Sequence, residues 1–236
     1  MKNILFDLDG TLLPMDVEEF TQKYFGYIVQ TMNNNGRDGK TILKAIGYGV
    51  DKIINNDGSV LNDILFWESF EKACGISRKE IEPEFTVFYE NVFDKIDVGV
   101  QSPNMIQAVS ILKEKGYKLY LTTNPLFPRI ATEKRIKWAG LDINDFELVT
   151  TFENASYCKP NVNYYKEVIE SQGLDIHECM MVGNDVKEDG VVETLGIPVY
   201  LVNDYLLNKY NLEINTKWLG TSEDFLAFVN ELPSLR

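Results

Sequence analysis

Hydrophobic residues are spaced in two different ways along the chain, and the spacing changes near residue 100. Between residues 16 and 98, apolar side chains recur three and four positions apart, as Phe20, Tyr24 and Ile28 do. This period places side chains on one face of a helix. After residue 100, short apolar runs alternate with segments of helical period. The pattern therefore predicts one N-terminal strand, a helical segment, and then strands alternating with helices.

The ends of the predicted elements carry capping signals. Gly75 is a predicted C-cap, and Ser77 has Glu80 three positions later, which is the spacing of a capping box. Ser102 and Ser222 are predicted N-caps. The predicted helices cover residues 16–32, 40–54 (weakened by Gly47 and Gly49), 60–75, 77–93, 102–116, 128–140, 161–173 and 222–232, with a short one near 191–196. The predicted strands begin at residue 4 and cover residues 117–123, 146–152, 179–183 and 198–203.

Strands that alternate with helices of this length form βαβ units, which build a parallel sheet. The sequence therefore predicts an α/β protein with a doubly wound, mostly parallel sheet and a Rossmann-like core. An all-helical segment interrupts the core after its first strand. We expect residues 1–15 and 99–236 to form the core, and we call residues 16–98 the helical insertion.

Composition and charge exclude several classes of function. The 236 residues carry a formal net charge of −13, which opposes binding to nucleic acid and to anionic membranes. His177 is the only histidine, so a Ser-His-Asp triad and a histidine-ligated zinc site are disfavoured. The three cysteines are widely spaced and no apolar run reaches membrane-spanning length, so we expect reduced thiols and a cytoplasmic protein.

Two carboxylates interrupt the first apolar strand, in the stretch "ILFDLDGTLL" at residues 4–13. Asp7 and Asp9 are two positions apart, so in a strand they point to the same face. Like charges this close repel, and burial without compensation costs several kcal/mol. This arrangement calls for a cation or for a reaction that uses both carboxylates.

Further polar residues follow three other strands, at the edge where open parallel sheets bind ligands. Thr123 and Asn124 offer a hydroxyl and a backbone N–H, Lys159 offers a cation, and Asp185 and Asp189 are one helical turn apart. Each group alone is compatible with an ordinary turn, a solvated lysine or an acidic loop. Together at one sheet edge, they indicate a site for a phosphoryl group and a metal ion.

Four motifs in this order, "DLDGT", "TTN", "KP" and "VGNDVKED", resemble those of the haloacid dehalogenase superfamily. The resemblance extends from residue 4 to about residue 200. The helical insertion resembles the cap domain of the phosphoglycolate phosphatase and phosphoglucomutase branch. The resemblance thus implies a hydrolase with a catalytic core and a helical cap.

The resemblance also implies roles for individual residues. Asp7 is the expected nucleophile, which forms an aspartyl phosphate, and Asp9 the expected general acid and base. Mg²⁺ is expected on the Asp7 carboxylate, the Asp9 backbone carbonyl and Asp185. The family often has Gly-Asp in its fourth motif, whereas Asn184 precedes Asp185 here. Either residue can therefore fill the position of the metal ligand.

The remaining motif residues are expected to bind the phosphoryl group. Thr123, the Asn124 N–H and Lys159 would hold its oxygens, and Gly10 would let the backbone come close. Asp189 would hold Lys159 or a metal-bound water in place. Thr11 would brace the loop.

These roles predict a Mg²⁺-dependent phosphatase that acts on a small phosphorylated metabolite. Displacement of a halide from carbon requires neither a metal nor an acid for the leaving group, so Asp9 favours phosphoryl transfer over dehalogenation. A phosphomutase with the same intermediate and a non-hydrolytic phosphoacceptor domain remain as alternatives. We expect a monomer or a small homo-oligomer.

Overall fold

The computed structural model describes residues 1–96 and 101–236. Its strands are β1 (Asn3–Phe6), β2 (Lys118–Leu121), β3 (Leu148–Val149), β4 (Cys179–Gly183), β5 (Val199–Val202) and β6 (Trp218–Gly220). They form one six-stranded sheet in the order β3-β2-β1-β4-β5-β6, and each neighbouring pair is parallel. The predicted doubly wound α/β fold is confirmed.

The helices flank this sheet or lie between β1 and β2 in the chain. They are α1 (Val17–Asn34), α2 (Gly39–Ile54), α3 (Asn62–Cys74), α4 (Arg78–Asn91), α5 (Pro103–Glu114), α6 (Arg129–Trp138), α7 (Val162–Gln172) and α8 (Ser222–Glu231). The helical insertion therefore consists of α1 to α4. Its division from the core remains a prediction, and the boundary between residues 98 and 99 lies outside the described residues.

Both faces of the sheet are covered. All residues of β1 and β4 are buried, as expected for central strands of a parallel sheet. Successive side chains of β1 enter different apolar clusters: Ile4 and Phe6 join one, and Leu5 joins the other. This alternation follows from the period of two along a strand, and it sandwiches the sheet between two layers.

The helical insertion packs on the core through aromatic rings. Phe93, which follows α4, stacks on Trp138 at the end of α6, with ring centroids 4.8 Å apart. Phe20 and Tyr24 of α1 both contact Phe127, with centroids 6.0 and 5.3 Å away. Aromatic pairs of this kind add to the stability that their buried area gives.

Two glycines that weakened the prediction of a single second helix do not break α2. At Gly49, a Cβ atom would lie 2.7 Å from the ring of Phe66. The missing side chain therefore lets α3 pack closely on α2. The cost of glycine within a helix, about 1 kcal/mol, is offset by this packing.

One predicted cap position is confirmed without its capping box, and another is wrong. Ser77 is the N-cap residue of α4, but its side chain makes no capping hydrogen bond; the Glu80 carboxylate instead accepts a hydrogen bond from Arg37, over 2.7 Å. The cap of α8 is Thr221, which forms a capping box with Asp224, and Ser222 is the first residue of the helix. Thr221 therefore occupies the N-cap position that was predicted for Ser222.

The predicted strands also differ in extent from those observed. The segment expected at residues 146–152 has strand structure only at Leu148–Val149. Strand β6 was not predicted, because its three residues are too short for a period to be recognised. The short helix near residues 191–196 is a 3-10 helix at Gly190–Leu195. Within the described residues, no helix is both long and apolar enough to cross a membrane.

We predict that Phe88→Ala lowers the free energy of unfolding by about 3–5 kcal/mol, because it removes a buried ring and leaves a cavity. Phe88 is fully buried, with Tyr24 and Phe93 around it. Val87→Ala on the same helix is the control, since Val87 is 52% exposed. Urea unfolding followed by circular dichroism measures both. Equal effects of the two substitutions would contradict the packing described for the insertion.

Candidate active site

The predicted site residues meet at the carboxyl ends of β1, β2 and β4. Asp7 directly follows β1, Thr123 lies two residues after β2, and Asn184 directly follows β4. Because β1 lies between β2 and β4, these three loops are neighbours. This is the edge of an open α/β sheet at which ligands bind.

Lys159 lies at the centre of the site and is only 2% exposed. Its ammonium group donates to Asp7 Oδ1 over 2.8 Å and to Asp189 Oδ1 over 2.6 Å. The other oxygen of Asp189 accepts the backbone N–H groups of Asn184 and Asp185, over 3.0 and 2.9 Å. Lys159 is therefore a buried, doubly paired cation and not a solvated surface lysine.

Burial and charge act in opposite directions on the two partners. Burial raises the pKa of Asp7 to about 8, against the attraction of Lys159. Burial alone would lower the pKa of Lys159, but the carboxylates of Asp189 and Asp7 hold it well above its ordinary value. Lys159 therefore keeps its charge, and Asp7 requires a further positive charge nearby to be fully ionised at neutral pH.

Asp9 has a different partner, Arg135 of α6. The guanidinium Nη1 donates to Asp9 Oδ2, and Nη2 donates to Thr132 over 3.3 Å. Arg135 is fully buried, and its guanidinium lies 4.4 Å from the centroid of the Phe127 ring. An arginine in this setting fixes the orientation of the carboxylate that it binds.

The role of Arg135 was not predicted from the sequence. A signal was present, because Arg135 is four positions after Ala131 and next to Ile136, on the buried face of α6. A charged residue at an apolar position of a helix indicates a buried partner of opposite charge. The helical pattern alone, however, does not say which carboxylate that partner is.

The loop between Asp9 and Leu12 approaches Asn184 closely. Gly10 has a φ angle of +87°, and a Cβ atom there would lie 2.2 Å from the Asn184 amide nitrogen. Thr11 donates its hydroxyl to Asn184 Oδ1 over 3.0 Å, and the Asn184 amide group donates to the Tyr205 carbonyl over 2.7 Å. The side chain of Asn184 is therefore engaged within the protein.

Asp185 has a carboxylate that is partly free. One oxygen, Oδ1, accepts the backbone N–H groups of Lys187 and Glu188, each over 2.8 Å. Both bonds use the same oxygen, so the second oxygen remains for a ligand. Of the two neighbouring candidates for the metal ligand, the contacts favour Asp185 over Asn184.

Glu188, which follows β4, is a further acid at the site and was not predicted. It contacts Asn124, which follows β2. The Asn124 side chain accepts the Lys159 N–H over 3.2 Å and donates to Glu188 over 3.0 Å. Burial raises the pKa of Glu188 to about 7. Thr123 is buried, and its carbonyl accepts hydrogen bonds from Thr150 and Tyr164, over 2.7 and 3.0 Å. These bonds fix the turn that follows β2.

The oxygen donors at this edge suit a small hard cation. Asp7 and Asp185 bring carboxylates to the cavity described below. No group of three His, Cys, Asp or Glu side chains suited to a metal ion occurs in residues 1–96 and 101–236. In many phosphoryl-transfer sites, Mg²⁺ is held by one or two carboxylates, with water and substrate phosphate completing its shell.

A cavity of 580 Å³ opens at these residues and extends between the core and the helical insertion. Asp7, Asp9, Thr123 and Asp185 line its polar end. Side chains from all four helices of the insertion also line the cavity. The groups that are expected to react therefore face a space that can hold an organic molecule.

The family model for haloacid dehalogenase-like hydrolases matches residues 1–190. This chain belongs to that family of hydrolases, as the four sequence motifs predicted. The site geometry described above is thus part of an enzyme.

Two curated relatives share a name. The glyceraldehyde 3-phosphate phosphatase of Methanothermobacter thermautotrophicus is 32% identical over 217 residues, covering 87% of each chain. That of Methanocaldococcus jannaschii is 30% identical over 193 residues, covering 80% of this chain and 78% of the relative. The crystal structure of an HAD phosphatase from Thermococcus onnurineus has the same fold, with a TM-score of 0.62, 20% identity and 100% coverage of both chains.

We predict that Lys159→Met lowers the free energy of unfolding by about 3–5 kcal/mol at pH 7, because two buried carboxylates lose their cation. Burial raises the pKa of Asp7 above its value in the unfolded chain, and loss of Lys159 removes the charge that opposes this rise. The cost for Asp7 is therefore full above its folded-state pKa and vanishes as the pH falls below about 4, where its carboxyl group is protonated in both states.

Urea unfolding in metal-free buffer from pH 4 to pH 7 measures this effect. Lys2→Met is the control, because Lys2 is exposed in its ion pair with Glu178 and such surface pairs contribute only about 0–1 kcal/mol. A loss at Lys159 no larger than at Lys2, or one independent of pH, would contradict the central role of the buried cation.

Proposed function

We propose that this protein is a Mg²⁺-dependent phosphatase that hydrolyses a small phosphorylated metabolite through an aspartyl-phosphate intermediate. The observation that carries the proposal is the buried Asp7–Lys159–Asp189 arrangement at the carboxyl edge of the sheet, in which Asp7 and Asp189 line a cavity. The names of the two relatives support phosphatase chemistry.

Asp7 is the proposed nucleophile. Its carboxylate attacks phosphorus, and the bond from phosphorus to the substrate's ester oxygen breaks. Because burial raises the pKa of Asp7 to about 8, the nucleophile depends on positive charge for its ionised form. Lys159 supplies part of that charge. Asp7, Asp185 and the Asp9 carbonyl would hold Mg²⁺, which supplies charge neutralisation for the carboxylate and the phosphoryl group.

Asp9 is the proposed general acid and base. It gives a proton to the departing alcohol and then takes one from the water that cleaves the aspartyl phosphate. Arg135 acts as a positioning residue, since its bond to Asp9 Oδ2 sets the direction of the carboxylate. A reacting acid must be held within hydrogen-bond distance of the proton it transfers.

The phosphoryl oxygens are held by groups on the neighbouring loops. Lys159, the Thr123 hydroxyl and the Asn124 N–H are the proposed donors, and Gly10 is proposed to let the backbone approach the phosphoryl group. Asp189 positions Lys159 through their hydrogen bond of 2.6 Å. Donors fixed in advance toward the developing charge lower the barrier of phosphoryl transfer.

Two alternatives differ in what accepts the phosphoryl group. A phosphomutase would return it to a sugar hydroxyl, and a signalling domain would keep it. The family match to hydrolases favours water as the acceptor. In signalling receiver domains, the phosphoacceptor is not on the first strand and no helical insertion follows it, which disfavours that alternative.

We further propose that the enzyme works in the cytoplasm as a monomer or small homo-oligomer, with a small substrate as its ligand. The net charge of −13 argues against nucleic-acid and membrane partners. Glyceraldehyde 3-phosphate belongs in the first substrate panel, because it is the substrate in the names of the two relatives.

We predict that Asp7→Asn lowers phosphate release by about a thousandfold or more, because an amide cannot form the aspartyl phosphate. Asp51→Asn is the control, since Asp51 is exposed on α2. Release from p-nitrophenyl phosphate and glyceraldehyde 3-phosphate is measured with Mg²⁺ and with EDTA. EDTA should abolish activity in the wild type. Comparable activity of Asp7→Asn and the wild type would overturn the nucleophile assignment.

We predict that Arg135→Met lowers kcat/KM for propyl phosphate by about a hundredfold, but for p-nitrophenyl phosphate by less than about tenfold. A poor leaving group requires a proton from Asp9, and p-nitrophenolate does not. The ratio kcat/KM reports the steps up to departure of the alcohol, so later hydrolysis does not obscure the effect. Arg135→Lys should restore part of the loss. Equal losses for both substrates would mean that Arg135 is merely structural.

A further inference from the structure

The part of the cavity wall that the helical insertion forms is mostly apolar. The helical insertion contributes aromatic and aliphatic side chains from all four of its helices. They include Phe20, Phe25, Ile46, Val50, Trp67 and Phe85. The cavity thus has a charged end on the core and an apolar end on the insertion.

The polar side chains on the insertion's part of the wall are already engaged. Tyr24 and Tyr89 share a hydrogen bond of 2.7 Å between their hydroxyls. Thr21 donates to the Val17 carbonyl over 2.6 Å. Thr21 and one of the two tyrosines therefore donate within the protein, and only the hydroxyl proton of the other tyrosine remains for a ligand.

The same holds for the other two polar side chains on this part of the wall. Thr86 donates to the Glu82 carbonyl over 3.1 Å. Both carboxylate oxygens of Glu82 accept from Arg78, over 2.9 and 2.8 Å. The Trp67 indole N–H is the one buried donor without a hydrogen-bond partner among the described residues that line this wall. The indole N–H and the remaining tyrosine O–H are few donors for a polyhydroxylated ligand.

A sugar phosphate would therefore bind this wall poorly. Its hydroxyls would lose their hydrogen bonds to water and find few partners, which costs affinity. An apolar group of similar size would instead gain from leaving water. The cavity of 580 Å³ also falls within the range of about 300–1,000 Å³ that holds ligands much larger than a three-carbon sugar phosphate.

We propose that the natural substrate is a phosphomonoester of an apolar alcohol, with its organic group against the aromatic wall of the helical insertion. The inference rests on the proposed phosphatase function and narrows its substrate class. In the reaction, Asp7 displaces the alcohol from phosphorus, and Asp9 supplies the proton with which the alcohol leaves. Water then releases orthophosphate and restores Asp7.

A series of n-alkyl phosphates from propyl to octyl tests this substrate class, because the leaving groups differ little in acidity. We expect kcat/KM to rise about threefold to fourfold for each added methylene that enters the cavity. Glycerol 1-phosphate is the matched comparison for propyl phosphate, since both have three carbons and differ in hydroxyls. Propyl phosphate should be the better substrate. A flat series, or preference for glycerol 1-phosphate or glyceraldehyde 3-phosphate, would overturn the inference.

Substitutions in α1 test whether the cavity wall causes the dependence of kcat/KM on chain length. Phe25 is half-buried and lines the cavity, and Phe25→Ala should reduce the gain per methylene. Tyr27→Ala is the control on the same helix, since Tyr27 is not among the residues that line the cavity. An unchanged chain-length dependence in Phe25→Ala would contradict the proposed binding position of the organic group.

Binding of alkylphosphonates, measured by calorimetry with Mg²⁺, separates this inference from the proposed function. Octylphosphonate should bind at least tenfold more tightly than propylphosphonate. If it does not while alkyl phosphates are hydrolysed, the apolar substrate class is wrong and the phosphatase stands. If it binds tightly while no phosphomonoester is hydrolysed, the phosphatase proposal fails and the apolar ligand site remains supported.

Discussion

The site depends on one buried cation, Lys159, held between the carboxylates of Asp7 and Asp189. Removing a charge from water costs several kcal/mol, and two close partners compensate it here. The three residues come from different loops at the edge of the sheet, so their pairing fixes those loops relative to one another. The fold at this edge and the charge around Asp7 are therefore set by the same contacts.

Two parts of the molecule, the core and the helical insertion, line one cavity and differ in polarity. The sheet provides the charged end, where strand order alone brings Asp7, Thr123 and Asp185 together. The helical insertion provides a mostly apolar end whose polar side chains form hydrogen bonds within the insertion. Under our proposals, the core performs phosphoryl transfer and the insertion selects the organic group. Chemistry and specificity could then change independently.

Much of the fold could be predicted from sequence, because alternation of strands and helices is a strong pattern over this length. The positions of Asp7, Lys159 and Asp189 at strand ends were predictable for the same reason. Arg135 and Glu188 were not, since each lies within a helical turn and its partner depends on tertiary packing. Strand β6 was missed because it has only three residues. The cap of α8 was missed because Thr221 and Ser222 are adjacent hydroxyl residues, and either can cap a helix.

The central claim is that Asp7 carries the phosphoryl group. Acid quenching during turnover, followed by borohydride reduction, converts an aspartyl phosphate to homoserine, which mass spectrometry of the peptide locates. The account predicts homoserine at position 7 in the wild type with Mg²⁺ and substrate, and none in Asp7→Asn. With p-nitrophenyl phosphate, whose leaving group needs no proton, the signal should increase in Asp9→Asn, because the intermediate then loses the base that activates water. Turnover without homoserine at position 7, or with the reduced residue at the position of another carboxylate, would contradict this claim.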